Sequence, residues 1–261
     1  MSPAPPALVF HDTGRGPVLL MLHAFPLDAS QWDNQVAAFS GHWRCVRPDM
    51  WGCGVSPELP APMEASLDGY AESLLKWLDG SGVAEVVAVG SSMGGYACFA
   101  LLRRAPSRIR ALVLASSRAI ADTPEQAANR RRMAELALRD GSETAVSMVN
   151  RLLASRARGD PHVLDPVVGR IRRCRPAGIA ASQIAMAGRP DSTALLAAVE
   201  VPALVVAGDD DGIVSLEEAR GIADALPRGQ LAVLPGSGHL GNLEDPVGFN
   251  EVVGEFLNRL G

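Results

Sequence analysis

Gly90-Ser91-Ser92-Met93-Gly94 follows the apolar run Val86–Val89 and precedes a helix-like segment, Tyr96–Arg104. A strand that turns sharply into a helix presents the residue at the turn from the edge of the sheet, so G-x-S-x-G in this context marks Ser92 as a candidate nucleophile. The glycines have a steric reason to be there. A residue on so tight a turn is strained, and neighbours without a Cβ, Gly95 included, let strand and helix approach closely. Read alone, the pentapeptide fits equally a glycine-rich turn around a buried serine.

Working outward, short β-type apolar runs recur at Val18–Leu22, Cys45–Arg47, Leu112–Leu114, Ala203–Ala207 and Leu231–Leu234, with helix-like stretches such as Leu67–Leu78 and Leu216–Leu226 between them. Alternation of this kind predicts an α/β fold, a mostly parallel sheet flanked by helices on both faces. From Ala119 to Pro190 the rhythm breaks. Pro124–Arg139, Glu143–Ser155, Val163–Arg173 and Ala177–Ala187 read as helices, separated by turn signals such as Asp140-Gly141 and Gly159-Asp160-Pro161. The expected organisation is a core of residues 1–118 and 191–261 with a helical cap inserted at 119–190.

A serine hydroxyl is a poor nucleophile near neutral pH unless an imidazole takes its proton and a carboxylate orients that imidazole. His239 follows the apolar run Leu231–Leu234 on a glycine-rich loop, where open parallel sheets place their chemistry. The carboxylate follows Ala203–Ala207 in Gly208-Asp209-Asp210-Asp211-Gly212, which lacks the ligand spacing of a calcium loop. Donors for a developing oxyanion are expected from the Met93 N–H at the start of its helix and from the Phe25 N–H in His23-Ala24-Phe25-Pro26, with His23 bracing that loop. Trp51 and Tyr96 are candidate substrate contacts, as is Ala24, whose methyl adjoins the oxyanion loop.

The 261 residues are 48% hydrophobic and 20% charged, ordinary for a soluble protein, and the net charge of −5 argues against general nucleic-acid binding. Charge is unevenly spread. Thirteen arginines and seven acids fall between Arg118 and Arg189, leaving the rest of the chain strongly acidic. Most such arginines serve as solvated helix faces, while some are candidates to attract an anionic substrate or an acidic acyl carrier. Cys45, Cys53, Cys98 and Cys174 are scattered without C-x-x-C spacing and read as small buried hydrophobes. The opening residues, Met1–Phe10, have neither a basic start nor a long apolar run, so a signal peptide, a membrane anchor and membrane partners are not expected, and the location expected is cytoplasmic.

Five motifs in order resemble the α/β-hydrolase superfamily: H-A-F-P at His23, D-x-x-G-x-G-x-S at Asp49 to Ser56, the elbow at Ser92, G-x-x-D ending at Asp211, and G-H-L followed by L-E-x-P at Gly238 to Pro246. His23–Gln35 and Gly236–Asn250 look most like the lidded carboxylesterases that include 3-oxoadipate enol-lactone hydrolases. The resemblance implies an eight-stranded α/β-hydrolase fold, a lid over Ser92, and a triad of Ser92, Asp211 and His239, choosing Asp211 by the G-x-x-D spacing. It also implies serine esterase or lactonase activity on a small molecule, with no cofactor or metal, in a monomer or homodimer. A hydrolase-like sensor, a perhydrolase, a C–C hydrolase, a hydroxynitrile lyase and an acyl-carrier esterase remain as alternatives on the same scaffold. Ala24 stands where such sequences have glycine. Ser215 and Gly241 stand where proline is common, an exchange expected to loosen the acid and histidine loops.

Overall fold

The structure, a computed structural model, describes residues 5–61 and 63–260. Residues 1–4 of the opening segment, read above as lacking a leader or anchor, lie outside the described residues. Seven strands form one sheet: β1 (Phe10–Thr13), β2 (Val18–Leu22), β3 (Arg44–Pro48), β4 (Val86–Ser91), β5 (Ile109–Ala115), β6 (Ala203–Gly208) and β7 (Gly229–Leu234). Their order is β1-β3-β2-β4-β5-β6-β7, parallel throughout except for β1, which runs antiparallel to β3. The count among the described residues is seven, not the eight implied by the resemblance. One antiparallel strand, β1, precedes β2 and closes that edge directly on β3.

Every residue of β2, β4 and β6 is buried, which is why their sequences read as unbroken apolar runs rather than as alternation. One face of the sheet turns Leu19, Met21, Val87, Val89 and Val113 toward Trp32, Phe249, Val253 and Phe256. Covering helices on that side are α1 (Asp33–Phe39) and, near the C-terminus, the helix Pro246–Asn258. The other face turns Leu20, Leu22 and Ala88 toward α2 (Leu67–Gly80) and α3 (Met93–Arg104).

Between β5 and β6 come α4 (Pro124–Asp140), α5 (Glu143–Val146), α6 (Val149–Leu152), α7 (Pro161–Arg173), α8 (Pro176–Ala187) and α9 (Thr193–Leu196). Beyond β6 lie α10 (Leu216–Ala225), α11 (Gly241–Glu244) and α12, the Pro246–Asn258 helix already described. Thr123 starts α4 with a reciprocal capping box to Gln126. The single helix expected over Glu143–Ser155 is broken into α5 and α6. Its hydrogen bonds tighten to three-residue spacing at Met148 and Arg151, and Leu153 turns extended, so that the Ala154 N–H reaches outward to Glu244.

No helix among the described residues is long and apolar enough to cross a membrane. α3 meets β2 with no room for a side chain: a Cβ built on Gly94 would lie 2.0 Å from the Leu22 carbonyl oxygen. Gly94→Ala should therefore lower the urea midpoint of unfolding by the equivalent of about 1–3 kcal/mol, as over-packing does. Gly221→Ala, on α10 with open space around it, is the control expected to hold or raise that midpoint.

Candidate active site

Ser92 sits between β4 and α3 at φ 51°, ψ −111°, a backbone conformation that costs an L-residue about 1–3 kcal/mol and persists only where its surroundings enforce it. Here the enforcement is visible. Ser92 N–H donates to the Ala115 carbonyl at the end of β5 (2.8 Å), and the Ser117 hydroxyl donates to the Ser92 carbonyl (2.9 Å). A Cβ on Gly90 would lie 2.4 Å from the Gly94 backbone and one on Gly95 2.2 Å from Ser117 Oγ, so the elbow closes only with glycine at these positions.

His239 lies on the loop between β7 and α11, and Asp211 on the loop after β6. Asp211 accepts from His239 Nδ1 (2.9 Å), which fixes the tautomer that leaves Nε2 free to accept from Ser92 Oγ (2.8 Å). Burial alone would raise the Asp211 carboxyl pKa. The hydrogen bond and charge of His239, with the N–H groups of Val214 and Ile213, outweigh burial and hold it below the ordinary carboxylate value. The neighbouring aspartates are occupied otherwise, Asp209 by the Gly236 N–H and Asp210 by the Ser155 N–H of the insertion. An imidazole oriented by a carboxylate and touching a strained serine hydroxyl can take that proton as the oxygen attacks an electrophile.

Of the two expected oxyanion donors, Met93 opens α3, where the first N–H groups have no acceptor within the helix. Phe25 lines the same cavity as Ser92 and His239. Its loop is held firmly. His23 Nε2 accepts from the Met50 N–H (3.0 Å), so Nδ1 carries the proton and donates to the Ala24 carbonyl (3.0 Å). Ala24 N–H donates to Gln31 Oε1 (2.7 Å), and Gln31 Nε2 reaches both Ser91 Oγ (3.0 Å) and Asn242 Oδ1 (3.1 Å). Asn242 in turn donates to the Gln35 side chain. This buried amide chain ties the Phe25 loop, the elbow and the histidine loop into one unit. It was not anticipated from the sequence, although it falls in the two segments, His23–Gln35 and Gly236–Asn250, on which the subgroup resemblance rested.

Glu244 is a second unanticipated brace. Its carboxylate accepts from Gly238 (3.1 Å) and Leu240 (3.2 Å), either side of His239, and from Ala154 of the insertion (2.7 Å). Burial raises its carboxyl pKa against the opposing pull of those three N–H groups. Ser215 does not loosen the acid loop, because it caps α10 reciprocally with Glu218. Gly241 leaves room for Leu234, whose Cδ1 would lie 2.9 Å from an added Cβ.

A cavity of about 250 Å³ opens above Ser92. Phe25, Tyr96 and Ile213 line it from the core, and the insertion contributes Met133, Met148, Leu152 and Met186 together with polar Gln126, Asn129, Arg130, Arg151 and Gln183. Trp51 and Ala24 are not among its lining residues. Trp51 is 2% exposed, packs edge-on to Tyr70 and donates to the Pro6 carbonyl, so a side chain read as a substrate contact is a core residue. Ala24 is fully buried beneath the loop it shapes. The D-x-x-G-x-G-x-S loop is likewise structural: Asp49 accepts from Ala29 and Val55, and Ser56 donates to the Asp49 carbonyl. Arg172 and Arg173, part of the basic stretch considered for a carrier, are engaged by Glu143 and by Asp28 with Ser30. Among the described residues, no cluster of His, Cys, Asp and Glu could hold a metal ion.

With this geometry in place, a model of the α/β-hydrolase fold matches residues 17–246. The chain belongs to the α/β-hydrolase family. This hydrolase is similar, at 36% identity and a TM-score of 0.93, to a thermophilic esterase from Thermogutta terrifontis solved with malate bound, covering 97% of this chain and 93% of that one. It is also similar to the enol-lactonase from Burkholderia xenovorans LB400, at 26% identity, a TM-score of 0.86 and 96% coverage of each chain. In sequence it is 30% identical to the pimeloyl-[acyl-carrier protein] methyl ester esterase of Nitrosomonas europaea, over 91% of this chain and 94% of that one.

Behind Tyr96, Arg189 lies 4.2 Å from the ring centroid and pairs with Asp122 (2.8 Å), and Arg130 binds the same carboxylate. Burial would raise the Asp122 pKa, but the two guanidiniums lower it. Carboxylates lowered in the folded chain stabilise it above the ordinary carboxylate range. As pH falls through that range the unfolded chain takes up protons first, and the stabilisation is lost. Asp122→Asn is expected to flatten the acid limb of a Tm-against-pH profile. Near pH 7 it should also cost about 3 kcal/mol by leaving buried Arg189 unpaired, measurable by calorimetry.

Proposed function

We propose that this hydrolase cleaves a carboxylic ester or lactone of a small molecule through a covalent acyl-serine, with Ser92, His239 and Asp211 as its catalytic triad. The observation that carries the reading is the continuous hydrogen-bonded line from Asp211 through His239 to Ser92 Oγ, ending at the floor of a cavity. Ser92 Oγ attacks the carbonyl carbon as His239 Nε2 takes its proton. Asp211, held ionised, stabilises the imidazolium that forms. The tetrahedral oxyanion is received by the N–H groups of Phe25 and Met93, whose partial charges are fixed in place before reaction and need no reorganisation. His239 then protonates the leaving alkoxide, and the bond to it breaks. A water deprotonated by His239 attacks the acyl-serine, the carbon–Oγ bond breaks as His239 returns the proton to Ser92 Oγ, and the acid is released. Each step uses groups of this chain and needs no cofactor.

The cavity also argues for the kind of acyl group. Its lining is mixed: Phe25, Tyr96, Ile213 and four insertion side chains, Met133, Met148, Leu152 and Met186, are apolar, whereas Gln126, Asn129, Gln183 and the guanidiniums of Arg118, Arg130 and Arg151 are polar. Arg118 and Arg130 are neutralised by Glu218 and Asp122. Arg151 has no side-chain partner among the described residues. A short acyl chain ending in a carboxylate or another polar group would meet both kinds of lining, and the malate held by the Thermogutta terrifontis esterase is a small hydroxy-dicarboxylate of that size.

Ser92→Ala should reduce turnover of an activated ester by about 10⁴-fold or more, and Asp211→Asn by about 10⁴-fold, with the circular dichroism spectrum unchanged. Undiminished hydrolysis by purified Ser92→Ala would refute the mechanism. Arg151→Ala should raise KM about tenfold for an ester whose acyl chain ends in a carboxylate and leave the matching neutral ester within roughly twofold, as loss of one charge-assisted hydrogen bond implies.

A further inference from the structure

Cys53 and Cys174 are 121 positions apart, yet their sulfur atoms lie 2.6 Å from each other, closer than unbonded sulfurs rest. Cys53 is 1% exposed on the loop after β3, and Cys174 is fully buried at the junction of α7 and α8. A disulfide needs its sulfurs about 2.05 Å apart, so joining this pair brings the sulfurs closer by about half an ångström. The backbones around them are already in contact. A Cβ on Gly52 would lie 2.4 Å from the Gly178 Cα, and the Arg175 N–H donates to the Gly52 carbonyl (3.0 Å). Two ion pairs flank the junction, Arg173 with Asp28 (2.8 Å) and Arg175 with Glu58 (3.0 Å). Cys45 on β3 and Cys98 on α3 have no such neighbour among the described residues.

We propose that Cys53 and Cys174 form a disulfide site that joins the loop after β3 in the core to the α7–α8 junction of the helical insertion. The oxidant is a small-molecule disulfide of the glutathione type. One cysteine thiolate attacks its S–S bond and expels one glutathione thiolate, leaving a mixed disulfide. The second cysteine thiolate then attacks the protein-side sulfur and expels the other. Two cysteines are oxidised, one glutathione disulfide is reduced to two thiols, and two protons leave the protein. The close sulfur of Cys53, together with burial, pushes the Cys174 thiol well above its ordinary pKa, so the bond forms slowly in the closed protein and faster whenever the junction opens. Neither sulfur borders the Ser92 cavity, and the proposal does not depend on the reaction assigned there.

The purified full-length chain is incubated with glutathione disulfide or with dithiothreitol, unfolded in guanidinium, and its thiols counted with a chromogenic disulfide. Peptides are mapped without reduction, and Tm is recorded for both forms. Two of the four thiols should disappear, a Cys53–Cys174 peptide should appear, and Tm should rise by about 5 °C or more, reversibly on reduction, since the bond closes a long loop. Cys53→Ala and Cys174→Ala should each abolish the redox dependence of Tm. Four thiols surviving oxidation, a bond mapped to other cysteines, or equal Tm values for the two forms would overturn the proposal.

Discussion

The approach of the Gly94 backbone to the carbonyl of Leu22, which leaves no room for a Cβ, seats α3 directly on β2. From that contact follows the left-handed backbone at Ser92, because a chain leaving β4 for so near a helix must reverse within one residue. The strain is carried by neighbours rather than by Ser92 itself. The end of β5 supplies the Ala115 carbonyl and the Ser117 hydroxyl, and the parallel register of β4 with β5 puts both beside the elbow.

A second layer of order comes from amides and carboxylates that never face the cavity. Gln31 and Asn242 connect the loops carrying Phe25, Ser92 and His239, and Glu244 grips the peptide on both sides of His239. Buried polar groups without partners are costly, so a network whose members satisfy one another specifies a single arrangement of three loops distant in sequence. Precision at the 2.8 Å contact between His239 and Ser92 rests on this layer as much as on the two residues themselves.

Legibility in the sequence followed the range of the interactions involved. Six strands announced themselves as apolar runs, and the elbow, acid and histidine loops by motifs at strand ends, because local periodicity and turn chemistry decide those features. β1 did not, since Phe10–Thr13 is a short edge strand that is half-buried to exposed and carries no apolar signal. Trp51 looked suggestive on its glycine loop, yet whether an indole enters a cavity or a core is set by packing against Tyr70 of α2. The meeting of Cys53 with Cys174 and the reach of Glu244 to Ala154 are tertiary facts with no local trace. The same holds for the pairing of individual arginines: the excess between Arg118 and Arg189 was countable, whereas its neutralisation at Arg118, Arg130, Arg172 and Arg173 depends on where Glu218, Asp122, Glu143 and Asp28 fall in space.

Ala154 and Ser155 attach the helical segment between β5 and β6 to Glu244, which grips the peptide around His239, and to Asp210, the neighbour of Asp211. The helices that line the cavity are thus geared to the loops carrying Asp211 and His239. Displacing those helices would pull on the histidine loop through the Ala154 N–H and on the Asp211 loop through the Ser155 N–H, so the position of the helices and the alignment of His239 with Asp211 form a single mechanical quantity.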